Sequence, residues 1–186
     1  GFRPAHADSL HLDLWHHGVN LLRDGGSYAY NADAADLAYF PGIASHNSVQ
    51  FDGAEPMPRL GRFLWGDWLQ LEAPPQVETS KAGPSITASY SCPHGRHQRC
   101  VKADPSGLSW SITDHCSAFR HRLVLRWRLC PADWQLRVDG ASAQLCSSHA
   151  QISLECNQQI LRLELVEGWE SLFYSQKTPL PLLELE

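Results

Sequence analysis

The 186-residue chain has no run of 18 apolar residues, which excludes a transmembrane helix. It has no surplus of positive charge. Fifteen Lys and Arg stand against 20 Asp and Glu, and the net charge of −5 argues against a nucleic-acid partner, which favours a basic face. Any other acidic polymer would have to meet a local basic patch. No leader peptide is visible at the start. The chain begins at Gly1 rather than Met, which points to a fragment of a longer protein, so the missing leader says nothing about the parent. Internal repeats, low-complexity segments and long helical patterns are also absent. One Met against seven Trp, with 12 Pro and 13 Gly, suggests many short strands joined by tight turns.

The strand-like runs are easily followed. Ser9–Trp15 alternates apolar and polar residues, His16-His17-Gly18 supplies a turn, and Val19–Arg23 returns as a second strand before Asp24-Gly25-Gly26. A helical turn is expected over Asn31–Asp36, broken by Pro41-Gly42. Ser48–Phe51 reads as a strand ended by Asp52-Gly53, a hairpin signal. Arg62–Leu71 alternates again, with Phe63, Trp65 and Trp68 as core candidates, and 73–84 reads as a surface connection. Further strands are expected at Ser85–Ser91, His97–Lys102, Ser109–Thr113, His121–Leu129, Trp134–Val138, Gln151–Glu155 and Gln159–Val166. The run His121–Leu129 has one greasy and one basic face. These spacings predict an all-β fold, an antiparallel β-sandwich of many short strands, as a single domain over 1–186.

The six cysteines are scattered through a chain large enough to need no staples, and they read as free, buried thiols. Cys92 with Cys100 is the expected bridge if the compartment oxidises. Cys92 to Cys100 also contains two His and two Arg, but its spacing does not fit a zinc finger. A basic turn is the better reading, with Arg96 and Arg99 as candidates to grip an acidic sugar chain bidentately.

The density of His and Asp in residues 2–53 asks for a chemical reason, because a hairpin needs none of them to fold. His6, Asp24 and His46 form an N/N/O set that suits Zn²⁺, with a fourth position left for water. Spacing alone does not bring them together, since a simple hairpin register does not set His6 opposite Asp24. On the residues alone they read better as two surface histidines and a turn carboxylate. Adjacent His16 and His17 should point to opposite faces and read as exposed turn residues.

The order of several pieces is more informative. They are His6-Ala7-Asp8-Ser9-Leu10-His11-Leu12-Asp13-Leu14-Trp15, Gly18-Val19-Asn20, Arg23-Asp24-Gly25-Gly26-Ser27-Tyr28, Ser45-His46-Asn47-Ser48-Val49 and Phe51-Asp52-Gly53. Pro58-Arg59-Leu60, Arg62-Phe63-Leu64-Trp65 and Lys177-Thr178-Pro179-Leu180-Pro181 continue the series. Together they resemble the C-terminal β-sandwich domain of the heparinase II/III-like polysaccharide lyases, densely over the first third and thinly between 75 and 170.

The resemblance implies a metal held by a His of the His-x-Asp motif, an Asp 18 residues later and a further His. These positions are His6, Asp24 and His46 here. It favours a structural metal over a Lewis acid, with Asp8 and Asp13 as residues that would orient a ligating imidazole. It implies β-elimination on a uronic-acid polysaccharide of the heparin, heparan or alginate kind, largely by an N-terminal α/α toroid that these residues do not include. Many members add a catalytic His two residues before the metal His. That position is Pro4 here, which puts the sandwich's own contribution in doubt. His11 and Tyr30 are the candidate substitutes, followed by Tyr28 and Tyr39. The expected partners are thus an acidic polysaccharide and the toroid, with no nucleic acid and no membrane span. The family favours the bacterial periplasm or secretion and leaves the cytoplasm open. The competing reading is a non-catalytic, metal-stabilised module that binds carbohydrate or packs on a partner domain. If a toroid is missing, at least two of Trp15, Tyr28, Tyr30, Tyr39 and Phe40 should be exposed on the side of His6 and His46.

Overall fold

A computed structural model describes residues 4–62 and 64–186. The chain forms β1 (Leu14–His16), β2 (Val19–Leu22), α1 (Ala34–Tyr39), a 3₁₀ turn (Ile43–Ser45), β3 (Val49–Phe51), β4 (Arg59–Gly61), β5 (Leu64–Trp65), β6 (Gln76–Ser80), β7 (Gly83–Cys92), β8 (Gly95–Ala103) and β9 (Trp110–Ser117). It continues with β10 (Leu123–Arg128), β11 (Gln135–Asp139), β12 (Ser142–Cys146), β13 (Gln151–Glu155), β14 (Leu163–Phe173) and β15 (Gln176–Leu185). The paired ladders are antiparallel, as the all-β reading requires. Two compact units result, one built on Phe51–Arg122 and the other on Ala5–Gln50 with Leu123–Glu186.

In the second unit, one sheet has the order β14-β15-β10-β3, β11-β12-β13 form a meander, and β1 and β2 form a separate hairpin. Val49, Val124, Trp127, Leu129, Leu180, Leu182 and Leu183 are buried and supply its core. The hairpin turns at His17 and Gly18, with φ of 46° and 79°, the pair of positive values that matches the twist of tightly joined strands. The first strand is much shorter than expected. Ser9–Asp13 is a loop, because Leu10 takes φ 51° and the His11 N–H donates to Asp8 O at 3.0 Å. The His16 and His17 rings do not diverge but meet edge-on at 4.0 Å, since the left-handed His17 bends the chain between them. The short helix starts later than expected, where the Asp33 side chain caps the Asp36 N–H at 2.8 Å.

The first unit carries the sheet β6-β7-β8-β9 and the small β4–β5 pair. Trp65 is buried, Trp68 is 41% exposed, and Phe63 lies outside the described residues. The expected connection at 73–84 contains a strand, β6, whose five residues are all exposed. It turns into β7 at Gly83, where φ is 102° and an added Cβ would lie 1.9 Å from Ala103 O. Asp52 and Gly53 make the expected tight turn, with φ of 53° and 69°, but β3 pairs with β10 rather than across it.

All six cysteines are free, as read from the sequence, though only Cys130 is buried. The register explains why Cys92 does not reach Cys100: Cys92 lies opposite Gly95 and Cys100 opposite Thr87. The basic face of 121–129 is exposed only at its start, at His121 and Arg122. Arg126 pairs with Glu184 at 2.7 Å, and Arg128 is fully buried, donating to Tyr39 Oη at 2.8 Å and to Trp169 O.

Candidate metal centre

The centre is built around four consecutive polar residues. Ser45, His46, Asn47 and Ser48 are each at most 1% exposed, so their side chains must find partners inside the protein. Ser45 Oγ donates to Phe40 O at 2.6 Å. Ser48 Oγ donates to Ser9 O. Asn47 is a three-way clamp: its amide donates to Leu12 O at 2.8 Å and Arg23 O at 3.2 Å, and its Oδ1 accepts the Arg128 N–H at 2.6 Å. These bonds tie the 9–12 loop, the end of β2 and β10 to one segment and leave His46 fixed between them.

Asp24 is brought to His46 by the two glycines that follow it. The Gly25 N–H donates to Ser45 O at 3.0 Å, and a Cβ on Gly25 would stand 2.7 Å from Ser45 Cβ. Gly26 has φ 75°, and a Cβ there would stand 2.2 Å from Ser171 O. No side chain fits at either place, so the Gly-Gly pair allows the close approach. His6 arrives from the chain start, where buried Ala7 donates its N–H to Pro41 O at 2.8 Å.

The resulting geometry gathers His6, Asp24 and His46, with one donor atom from each lying within 4.8 Å of the others. His46 Nδ1 is 2.7 Å from Asp24 Oδ2, and Asp24 Oδ1 accepts the Gly26 N–H at 2.6 Å. The His6 and His46 ring centroids are 5.3 Å apart, and His6 Nε2 is 3.2 Å from Ser27 Oγ. His46 Nε2 is buried without a hydrogen-bond partner, the state expected of a nitrogen reserved for a ligand. Burial, and then the neighbouring His46, lower the pKa of His6 against the opposing pull of Asp24 and Asp8, which favours the neutral imidazole. Burial alone would raise Asp24, but hydrogen bonds from His46 and the Gly26 N–H outweigh it and hold the carboxyl well below the usual range. A neutral imidazole and an ionised carboxylate are the forms that ligate metals. The donor set therefore fits a borderline-soft divalent ion such as Zn²⁺.

The other expected residues lie in varied surroundings. His11 belongs to this cluster: its ring meets His46 edge-on at 5.4 Å, and Nε2 is 3.5 Å from Asp24 Oδ2. Asp8 is exposed and acts on His6 through its charge. Asp13 is raised by burial, with Asn20 and Trp15 as its hydrogen-bonding neighbours. Tyr30 is 61% exposed and packs edge-on against Tyr174 at 5.6 Å, with its N–H donating to Tyr174 Oη at 3.3 Å. Trp15 is also exposed, at 62%, whereas Phe40 is buried and Tyr28 and Tyr39 are half-buried. Arg96 lies on Glu72 at 2.6 Å, and buried Arg99 grips Asp114 through Nε at 2.7 Å and a terminal nitrogen at 3.0 Å. Ser45, Asn47 and Ser48 belong to one of the pieces that carry the family resemblance, but nothing in the sequence marked their bonding roles.

The family model described as heparinase II/III-like, C-terminal, matches residues 1–181. Among solved structures, the heparan sulfate lyase HepC from Pedobacter heparinus aligns with a TM-score of 0.72 at 17% identity, over 97% of this chain and 28% of that one. Heparinase III, the BT4657 gene product, aligns with a TM-score of 0.75 at 15% identity, over 100% of this chain and 28% of that one. At such identities the likeness concerns the fold, which is the expected antiparallel β-sandwich. No curated protein matches the sequence. The chain thus spans 28% of the length of those two solved chains. No helix among the described residues is long and apolar enough to cross a membrane.

Proposed function

The chain belongs to the heparinase II/III-like C-terminal family, and from that premise we propose that it is the metal-binding sandwich domain of a polysaccharide lyase. The parent enzyme cleaves a uronic-acid polysaccharide, of the heparin, heparan or alginate kind, by β-elimination. His6, Asp24 and His46 hold one Zn²⁺ or a similar divalent ion. The observation that carries the metal reading is the convergence of these three residues, 40 positions apart in sequence at the extremes, with the buried His46 Nε2 left unpartnered. When bound, the ion supplies a fixed cross-link between the chain start, the Asp24 turn and the Ser45–Ser48 segment. Binding energy to such a site is folding energy.

The domain alone does not complete the lyase chemistry. That chemistry needs a neutralised carboxylate, a base and a proton donor to the leaving oxygen. Pro4 stands where many relatives carry a sandwich His, so the chain depends on an N-terminal toroid for its base and acid. The expected outcome is no lyase activity from the 186-residue chain on heparan-type or alginate polymers, followed as ultraviolet absorbance of the unsaturated uronate. The same chain joined to its toroid should produce that absorbance. Robust activity from the chain by itself would overturn this division of labour. A toroid-containing protein that binds the polymers without cleaving them would favour the non-catalytic carbohydrate-binding module.

A further inference from the structure

We propose that His11 is the positioning residue of the metal centre: it fixes the Asp24 carboxylate against His46 and is not itself a ligand or a proton-transfer group. This rests on the metal reading above. Two observations carry it, joined by the chemistry of the ring. His11 Nδ1 accepts the backbone N–H of Asn47 at 2.9 Å. A neutral imidazole that accepts at Nδ1 carries its proton on Nε2. That Nε2 stands 3.5 Å from Asp24 Oδ2, the same oxygen that His46 Nδ1 meets at 2.7 Å.

Asp24 is therefore approached from three directions. The Gly26 N–H bonds Oδ1 and His46 Nδ1 bonds Oδ2, while buried His11 Nε2 stands 3.5 Å from Oδ2, a charge contact rather than a formed hydrogen bond. The backbone that orients His11 belongs to the residue next to His46, so one short segment sets both imidazoles. His11 does not join the His6, Asp24 and His46 group, whose donor atoms converge within 4.8 Å. Its side chain is only 14% exposed, and both nitrogens face inward, which is poor placement for a group that must meet a sugar. Hydrogen-bonded partners behind a ligating carboxylate preset its orientation before the metal arrives, and losing one weakens metal affinity about 10–100-fold.

The test separates positioning from mere packing by using two isosteres. In His11→Gln the amide nitrogen reaches toward Asp24, as Nε2 does. In His11→Asn the amide oxygen accepts the Asn47 N–H, as Nδ1 does. Zn²⁺ affinity would be measured by competition with a chromophoric chelator on the 186-residue chain, and the visible spectrum of the Co²⁺-loaded chain would report the coordination. The expected result is a Zn²⁺ affinity for His11→Gln within about threefold of wild type, and a loss of about 10–100-fold for His11→Asn. Both variants should keep one Co²⁺ and an unchanged four-coordinate spectrum. Equal affinity in the two variants, or a tighter His11→Asn, would overturn the positioning role, and a changed Co²⁺ spectrum would make His11 a ligand. Wild type that binds neither ion would remove the metal reading itself, which is a separate outcome.

Discussion

Among the described residues, two fully buried imidazoles each meet a partly buried carboxylate, one pair in each unit, and they are built for different ends. In the first unit His97 Nε2 meets Asp114 Oδ1 at 2.7 Å, and Arg99 grips both oxygens of the same carboxylate. In the second, His46 Nδ1 meets Asp24 Oδ2 at 2.7 Å, and the other partners of Asp24 among the described residues are a backbone N–H and another imidazole. Asp114 is thus a closed ion pair whose charge is already balanced by a guanidinium. Among the described residues no Arg or Lys pairs with Asp24, and His6 and the unpartnered His46 Nε2 stand beside it. Similar residues give a structural clamp where an Arg saturates the carboxylate, and a candidate metal centre where none does.

Removing Arg99 should break the first pair hardest. Arg99→Ala strands a buried charge on Asp114, and such losses cost about 3–5 kcal/mol. Urea unfolding should show that drop with metal content unchanged, and replacing Arg99 and Asp114 together by Leu should recover much of it. A metal loss in Arg99→Ala would erase the distinction between the pairs.

The second pair is sharpened through its clamp. Asn47→Ala leaves the Arg128 N–H and the Leu12 and Arg23 carbonyls without their side-chain partner. Buried polar groups left this way cost about 1–3 kcal/mol each. Part of this is relieved by water, so a loss of about 3 kcal/mol is expected in thermal or urea unfolding, together with weaker metal retention. A loss under about 1 kcal/mol would show that the Ser45–Ser48 hub is not what holds the centre.

A smaller effect separates the pairs by pH. Burial opposes ionisation of Asp114, but His97 and Arg99 prevail and hold it at about 2 against an ordinary 3.8. A depressed folded pKa stabilises the protein above the unfolded value, and that stabilisation fades as pH falls through the folded value. Asp114 should thus contribute about 2 kcal/mol above pH ~4, vanishing toward pH ~2. The stability gap between wild type and Asp114→Asn should narrow over that window, read as urea midpoints at successive pH values. A gap that stays constant would contradict it.

Much of this was legible in the sequence, and the illegible parts share a cause. Short runs bounded by turn signals marked β7–β11 and β13, most clearly β10, where apolar and basic residues alternate. β6 escaped notice because Gln76–Ser80 has a single apolar residue, Val77, and is exposed throughout. β15 escaped because Pro179 and Pro181 argue against a strand. Pro179 is accommodated because the ladder with β10 covers only Leu182–Leu185, while Pro181 contributes its carbonyl to the Leu129 N–H at 2.9 Å. His6, Asp24 and His46 were found by family spacing, not by strand register. The polar hub was not found, because hydropathy cannot tell a buried, fully bonded Ser or Asn from a solvated one. Arg99 and Arg128 misled for the same reason: a buried Arg with partners far away in sequence looks like a surface charge.

The most direct test is metal content, measured by elemental analysis on purified wild type, His46→Ala and His97→Ala after equal exposure to Zn²⁺ and exhaustive dialysis. The account predicts about one ion per chain in wild type and in His97→Ala, and almost none in His46→Ala, as expected when one of three protein ligands is lost. No ion in wild type, or equal content in wild type and His46→Ala, would contradict it.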